Sequence, residues 1–129
     1  MPTNPNPQNR IPIARTGSPR PGVQITEVSL ADLNPLHSVP RPGTPPNHIQ
    51  NLAGAIQTNG YDLAQPIPVA RMPDGRLVMM GGHHRAAARS QLQETTIPAR
   101  VVDWDSISPG AQNLYRQLFP DFPWSQFGV

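Results

Sequence analysis

The chain contains no cysteine and no lysine. The absence of cysteine excludes a disulfide scaffold, a thiolate zinc site, a C-x-x-C redox pair and a cysteine nucleophile. No apolar run approaches the roughly 18 residues that a membrane-spanning helix needs. The first thirty residues also lack the apolar core of a signal peptide. We therefore expect no transmembrane segment, no membrane partner and no export by a signal peptide.

The hydrophobic fraction is low, at 36%, whereas proline is abundant, with 18 residues in a chain of 129. A chain of this size supports one hydrophobic core. Residues 1–22 alternate proline, asparagine and arginine with almost no apolar side chains, so they cannot bury enough surface to offset their ordering entropy. We predict a disordered head or linker over residues 1–22, either a tether or an SH3-like ligand, and one folded domain over residues 23–129.

The basic residues are ten arginines, and their distribution is uneven. The formal net charge is only +2, but residues 71–100 carry five arginines against two acids, and residues 101–129 are net acidic. Arginine favours forked contacts with phosphate or carboxylate. The central concentration of arginine therefore indicates an anionic ligand at one place rather than a basic coat over the whole surface.

Hydrophobic periodicity and turn residues predict a mixed α/β order of elements. A strand within residues 23–33 ends in a turn at Asn34-Pro35, and a helix over 48–58 follows, with Asn47 as its N-cap and Gly60 as its stop. A strand over 65–71 is expected at a sheet edge because of its prolines. The later elements are a turn at 73–75, a strand over 76–80, a helix over 83–92, a strand over 97–103 and a helix over 108–118 that Ser108 caps.

The C-terminal residues 119–129 concentrate large apolar side chains. Five of them stand within eleven positions: Phe119, Phe122, Trp124, Phe127 and Val129. Such a tail either folds back on the core or docks on a partner. We expect it to fold back, because a loose aromatic tail favours aggregation.

Residues 80–89 are the informative segment for chemistry. Gly81 and Gly82 follow a predicted strand, so the backbone can turn sharply and approach a ligand closely. The helix that begins next presents its backbone donors and the positive end of its dipole to that ligand. His83 and His84 add imidazoles that titrate near neutrality, and Arg85 adds a guanidinium suited to phosphate. The pattern predicts an anion-binding turn.

The order of these pieces resembles the ParB/sulfiredoxin superfamily over residues 23–104. The resemblance rests on a helix ending at Gly60, a Gln65-Pro66-Ile67 strand, an Asp74-Gly75 turn, a box at 81–88 and a strand at 97–102. The box Gly-Gly-His-His-Arg is similar to the G-G-C-H-R box of sulfiredoxins and, less closely, to the G-E-R-R box of ParB proteins. The resemblance implies a small mixed sheet flanked by helices, with a nucleotide or nucleic-acid phosphate at the strand-to-helix turn.

Two departures from the superfamily limit what the resemblance implies. His83 stands where sulfiredoxins have their cysteine, so reduction of a cysteine sulfinic acid is not expected. About 25 residues follow Trp104, which leaves no room for the second nucleotide motif and helix-turn-helix domain of partition-type ParB proteins. We therefore do not expect centromere reading.

The resemblance and the turn pattern together give the candidate site residues. The catalytic candidates are His84, Arg85, His83 and Glu27, the last being either an acid used in phosphoryl transfer or an exposed strand residue. Magnesium is compatible with Glu27 or Asp103 as ligands, but the sequence does not require a metal. The loop histidines His37 and His48, with Arg41, are either near the site or simply loop residues. The candidate phosphate- or nucleotide-binding residues are Gly81, Gly82, Arg85, Gln65, Arg71 and Arg89.

Three functions fit this pattern. The leading hypothesis is a nuclease of the bacterial toxin or effector type, acting on DNA foremost, in which His84 or His83 serves as general acid or base and Arg85 stabilises the phosphate charge. The second is a nucleoside triphosphate site that hydrolyses or transfers a phosphoryl group of ATP or CTP. The third is a non-catalytic nucleotide- or DNA-binding module.

The three hypotheses carry different partners and leave several points open. The nuclease hypothesis implies a cytoplasmic site of action, delivery into a target cell as part of a secreted protein, and an immunity or carrier protein as partner. The other two imply a free nucleotide or DNA as the ligand. The choice among DNA, RNA and free nucleotide stays open, as does the oligomeric state.

Overall fold

A five-stranded mixed sheet organises the computed structural model, which describes residues 13–40 and 42–129. The sheet has the order β2-β7-β5-β6-β3, and a separate parallel pair joins β1 to β4. This is the mixed α/β fold that the sequence predicts. The strands are β1 (Arg15–Thr16), β2 (Thr26–Ser29), β3 (Leu33–Pro35), β4 (Tyr61–Asp62), β5 (Ile67–Arg71), β6 (Leu77–Met79) and β7 (Thr96–Asp103), and the helices are α1 (His48–Asn59), α2 (His83–Gln91) and α3 (Pro109–Leu118).

Each face of the sheet buries its own apolar cluster, because alternate residues of a strand point to opposite faces. On one face Ile67 and Val69 of β5 pack with Ile97 and Ala99 of β7 and with residues of α1 and α2. On the other face the sheet is covered by Trp104 and the C-terminal tail. The members of this second cluster include Ala70, Val78, Met80, Trp104, Phe122, Trp124 and Phe127.

Strand β5 lies in the centre of the sheet, so its predicted edge position is wrong. It pairs in parallel with β7 over its whole length and antiparallel with β6 from Val69 onward. Pro68 lies just before that second pairing begins, and its carbonyl accepts from the Met80 N–H at 2.9 Å. The missing N–H of Pro68 is tolerated because it falls where the β6 ladder has ended.

The first predicted strand divides into two, and its predicted turn is wrong. Strand β2 ends at Ser29, a 3₁₀ turn covers Leu30–Asp32, and β3 then pairs in parallel with β6. Asn34 is therefore a strand residue, and its side-chain amide donates to the Leu77 carbonyl at 2.9 Å. An asparagine-proline pair favours a turn locally, but pairing with β6 decides its conformation here.

The predicted helices are present within one or two residues of their expected bounds. Gly60 ends α1 with a φ of +82°, and its N–H donates to the Ile56 carbonyl at 2.8 Å. Ser108 caps α3, since its hydroxyl accepts from the Ala111 N–H at 3.3 Å. Asn47 occupies the position before α1, but it has a left-handed φ of 64° and its side chain makes no capping bond.

The tail folds back on the core, as the sequence predicts. Phe122, Trp124 and Phe127 are buried, and the Trp124 indole donates to the Phe119 carbonyl at 3.0 Å. At the other end, the predicted linker lies outside the described residues up to residue 12. Residues 13–22 are described, and they include β1, which pairs with β4. Within the described ranges, no helix is long and apolar enough to cross a bilayer.

Candidate functional site

The turn between β6 and α2 requires glycine at position 82. Gly82 has a φ of +71°, and a Cβ placed there would lie 2.4 Å from Cγ2 of the buried Ile67. Its carbonyl accepts the first hydrogen bond of α2, from the Ala86 N–H at 2.9 Å. The turn thus sets the N-terminus of α2 directly against the start of β5, where a side chain on the glycine would prevent the approach.

Gly82→Ala is expected to destabilise the fold by at least about 1–2 kcal/mol, the cost of a left-handed conformation for a residue with a Cβ. The clash with Ile67 adds to that cost. Urea unfolding of the two proteins measures the difference. Gly54→Ala, inside α1 with no atom near its added Cβ, is the control and should stabilise by roughly 1 kcal/mol. Equal effects of the two substitutions would contradict this account of the turn.

The first turn of α2 carries basic groups and no acidic residue. His83, His84 and Arg85 follow the N-cap Gly82, which offers no side chain to cap the helix. The helix dipole places partial positive charge at this end, so a carboxylate or phosphate is favoured here and a guanidinium is not. A helix N-terminus of this composition is electrostatically favourable for an anion.

His83 is buried, with 6% of its surface exposed. Its Nε2 accepts the backbone N–H of Leu36 at 3.1 Å, which fixes the neutral ring with its proton on Nδ1. The ring also stacks on His37, with centroids 3.9 Å apart. His83 therefore ties the segment after β3 to α2, and its Nε2 is engaged in that bond. Its predicted catalytic role would require that bond to break.

His84 and His48 face each other at the mouth of a cavity at the α2 N-terminus. Their rings meet edge to face with centroids 5.0 Å apart, and Nε2 of His84 lies 3.4 Å from the Thr44 hydroxyl. The cavity has a volume of about 450 Å³, within the range of small-molecule sites. We name it the helix-end cavity; its walls include His37, His48, Leu52, His84, Arg85 and Phe119, together with the Gly81-Gly82 backbone.

Arg85 also borders a second cavity on its other side. Its Nη1 donates to the backbone carbonyl of Gln65, which holds the guanidinium between the two cavities. This second cavity has a volume of about 370 Å³. We name it the arginine cavity; its walls include Arg20, Ala64, Gln65, Pro68, Arg85 and Arg100. The predicted residues Gly81, Gly82, His84, Arg85 and Gln65 are thus brought together.

Glu27 lies away from both cavities. Its carboxylate accepts from Arg15 and, at 3.0 Å, from the Thr96 hydroxyl. Burial alone would raise the pKa of Glu27, but the hydrogen bonds from Arg15 and Thr96 outweigh it and hold the pKa below its ordinary value. The carboxylate is therefore ionised and engaged, which fits a structural strand residue better than a phosphoryl-transfer acid.

Arg71 and Arg89 do not line the helix-end cavity, and their phosphate contacts stay predictions. Arg71 ends β5, four residues or about 13 Å from Ile67, and pairs with Asp103 at 3.1 Å. Arg89 is fully buried, and its Nε donates to the Thr96 carbonyl at 3.1 Å. Each guanidinium thus contacts a protein group, although Nη1 of Arg89 is buried without a hydrogen-bond partner and the Arg71 side chain is half exposed.

Within the described ranges, no group of three or more histidine, aspartate or glutamate side chains could hold a metal ion. The two candidate magnesium ligands do not come together. Glu27 pairs with Arg15, whereas Asp103 pairs with Arg71 at the far end of β7. Each carboxylate therefore forms an ion pair with an arginine.

The sequence analysis did not single out Arg20 and Arg100, which line the arginine cavity beside Arg85. Arg20 falls in the segment predicted to be disordered, and Arg100 is one residue of a strand whose neighbours could not be inferred. The register of β7 against β5 sets Arg100 opposite Pro68, which carries it to the arginine cavity. The signal that could have found them is the local excess of arginine over acidic residues in the segments that contain them.

Comparison with known proteins identifies the class of this fold. The ParB structure from Caulobacter crescentus in complex with CTP-γ-S matches with a TM-score of 0.54 and 22% identity, over 72% of this chain and 51% of that chain. The same ParB in complex with the centromeric parS site matches with a TM-score of 0.50 and 20% identity, over 74% and 46%. This chain thus spans about half of the ParB structures.

Two further proteins share the fold. Sulfiredoxin from Arabidopsis thaliana matches with a TM-score of 0.55 and 22% identity, over 71% of this chain and 96% of that chain. A variant of a free serine kinase in complex with AMP matches with a TM-score of 0.53 and 17% identity, over 72% and 38%. No curated protein sequence matches significantly. The fold is therefore of the ParB/sulfiredoxin type.

The sequence itself defines the family. Residues 16–114 match the ParB N-terminal domain. The chain belongs to the ParB N-terminal domain family, as the motif order at 60–102 indicates. The box Gly81-Gly82-His83-His84-Arg85 keeps the glycine turn and the arginine on α2, and it carries histidine in the third position, where the sulfiredoxin box has cysteine.

Proposed function

We propose that this domain binds a nucleoside triphosphate, with its phosphates at the N-terminus of α2. The observation that carries the proposal is the first turn of α2, where Gly82, His84 and Arg85 place a helix dipole, an imidazole and a guanidinium around one point. The carboxylate-free start of a helix with an arginine in its first turn is built for an anion. A nucleotide is the anion that proteins of this fold suggest, since CTP-γ-S and AMP occupy two of them, and CTP-γ-S is an analogue of a nucleoside triphosphate.

The helix-end cavity has room and surfaces for the rest of a nucleotide. Its volume of about 450 Å³ exceeds what a phosphate chain alone needs. The ring of His37 stacks on His83 and lies 5.7 Å from Phe119, and Leu52 adds an apolar wall. Flat rings and an aliphatic side chain can pack against the face of a base or a ribose. Such contacts do not distinguish one base from another, because they do not involve its hydrogen-bonding edge. The base and sugar would lie along this wall.

The chemistry that these residues can support is positioning and charge stabilisation. Arg85 and the start of α2 hold negative charge that develops on a phosphoryl group. His84 lies in the same cavity, where its imidazole can exchange a proton with a phosphate oxygen or an attacking water. The domain therefore either retains the triphosphate as a ligand or hydrolyses it.

Phosphodiester cleavage is the second candidate, because two histidines face each other beside Arg85. His48 and His84 have ring centroids 5.0 Å apart. One imidazole can take the proton of an attacking hydroxyl or water while the other gives a proton to the leaving oxygen, which needs no metal. Delivery into a target cell and an immunity or carrier partner stay predictions that belong to this candidate alone.

One parallel assay separates the two candidates. The protein is incubated with CTP, ATP, GTP and UTP, and separately with supercoiled DNA and with RNA, each with magnesium and with EDTA. We expect saturable nucleotide binding by calorimetry, with or without phosphate release. Nicking of the supercoiled DNA or cleavage of the RNA would support the second candidate if His48→Ala and His84→Ala each abolish that activity. Absence of nucleotide binding to the folded protein would overturn the first.

A further inference from the structure

The arginines of this chain divide sharply into paired and unpaired groups. Among the described residues, Arg15, Arg71, Arg76 and Arg89 each have a carboxylate within 4.0 Å. No such partner stands beside the other four, which are Arg20, Arg85, Arg100 and Arg116. Three of those four line one cavity, the arginine cavity. The unpaired positive charge of the described domain is therefore concentrated at a single concave place.

The three arginines that line the arginine cavity come from separate parts of the chain. Arg20 comes from the segment before β2, Arg85 from α2 and Arg100 from β7. Arg85 is fixed there by the Gln65 carbonyl, and the position of Arg100 is fixed by its register opposite Pro68. The tertiary fold brings these three charged residues together. Their clustering is therefore not a consequence of a local run of basic residues along one helix.

The walls of the arginine cavity supply no negative charge. Beside the arginines they consist of Gln65 and small apolar residues, and no described aspartate or glutamate is among them. Like charges that share a concave site repel each other. A bound oxyanion removes that repulsion, and forked guanidiniums match its geometry. The cavity is therefore electrostatically favourable for an anion.

We propose that the arginine cavity is a second anion-binding site, which takes the phosphate or carboxylate group of a small molecule. Its volume of about 370 Å³ suits a small molecule. Arg20 and Arg100 do not line the helix-end cavity, whereas Arg85 lines both. The second site therefore adjoins the proposed phosphate position without coinciding with it. Its existence does not depend on the proposed nucleotide.

The test follows the arginine side chains directly. The Nε–Hε signals of Arg20, Arg85 and Arg100 are recorded by NMR while inorganic phosphate, and separately acetate, is added at constant ionic strength. We expect saturable shifts of the Arg20 and Arg100 signals, and a tighter response to one of the two anions identifies the group that the site prefers. The double substitution Arg20→Ala with Arg100→Ala should weaken binding at least about tenfold, because both charged hydrogen-bond donors are lost.

The matched control is Arg116→Ala, which removes the fourth unpaired arginine, on α3, and should leave both titrations unchanged. Absence of saturable Arg20 and Arg100 shifts with either anion would overturn the proposal, as would unchanged affinity in the double variant. Thermal unfolding of each variant checks that the fold is intact.

Nucleotide affinity of the same variants separates this site from the proposed function. The double variant should keep its nucleotide affinity within about twofold, as expected for groups outside the contact. A loss as large as that of Arg85→Ala would assign Arg20 and Arg100 to the nucleotide site and overturn a second site. Phosphate binding at Arg20 and Arg100 in a protein that binds no nucleotide would overturn the proposed function and leave this site standing.

Discussion

Arg85→Ala is expected to raise the dissociation constant for a nucleoside triphosphate by about 10- to 100-fold, because a hydrogen bond to a charged group contributes about 1.5–3 kcal/mol. Arg85 lies in the first turn of α2, and the Gln65 carbonyl holds its guanidinium at the edge of the helix-end cavity. A guanidinium anchored in this way loses little freedom when it binds phosphate. Calorimetric titration of the wild-type and variant proteins with the preferred nucleotide measures the effect.

Two further substitutions show whether the loss comes from the guanidinium itself. Arg85→Lys keeps the charge but not the planar fork, so its affinity should fall between those of wild type and Arg85→Ala. Arg116→Ala removes an equal charge from the exposed surface of α3 and should change affinity less than about twofold. Because Arg85 is not fully buried, its loss should leave thermal unfolding nearly unchanged. A folded Arg85→Ala protein with wild-type affinity would contradict the phosphate position.

The helices of this domain are predictable because their signals are local. Ser108 and Pro109 begin α3, Gly60 ends α1, and the small residues after Gly82 continue α2. Strand neighbours are set by pairing between distant residues, which no short pattern encodes. The prolines around Ile67 therefore suggested an edge strand, whereas β5 lies between β7 and β6 in the centre. Proline is accommodated there because the ladder to β6 starts only at Val69.

The candidate site likewise contains residues that a local pattern identifies and residues that only the tertiary fold brings together. Gly82, His84 and Arg85 are adjacent in sequence, so one turn brings them together whatever the rest of the fold does. Arg89 lies one turn later on the same helix, where β7 covers it, and no local signal distinguishes it from Arg85. Arg100 shows the converse. It looks like any exposed strand residue until the sheet register places it beside Arg85.

Arg89 is a structural residue whose charge is enclosed by the fold. Its Nε and Nη2 both donate to the Thr96 carbonyl, and Nη2 lies 4.0 Å from the Glu94 carboxylate. The guanidinium carbon lies 5.4 Å from the Tyr61 ring centroid, within range of a cation–π contact. The pKa of Arg89 lies below its ordinary value because burial disfavours the charged guanidinium. The nearby Glu94 and Glu27 carboxylates act in the opposite direction and favour the charged form. These partners therefore stabilise the charged guanidinium in its buried position.

Arg89→Ala is expected to destabilise the domain by about 3–5 kcal/mol, the usual cost of breaking a buried ion pair from one side. The substitution leaves the Glu94 carboxylate, which is only 12% exposed, without its cation and removes a fully buried side chain. Since small domains are stable by only about 5–15 kcal/mol, the loss should be plain in urea unfolding. A loss below about 1 kcal/mol would contradict a buried role for Arg89.

The source of that loss can be divided between charge and packing. Arg89→Met keeps most of the side-chain volume but strands the Glu94 carboxylate, whereas Glu94→Gln added to it removes that charge. The amide oxygen at position 94 can still accept from the Ile13 N–H, as the carboxylate does at 2.9 Å. If the ion pair dominates, the double variant should be more stable than Arg89→Met alone. Equal stability of the two variants would instead assign the effect to packing and to the bonds with the Thr96 carbonyl, and would leave Glu94 as a separate contact that ties Ile13 to the domain.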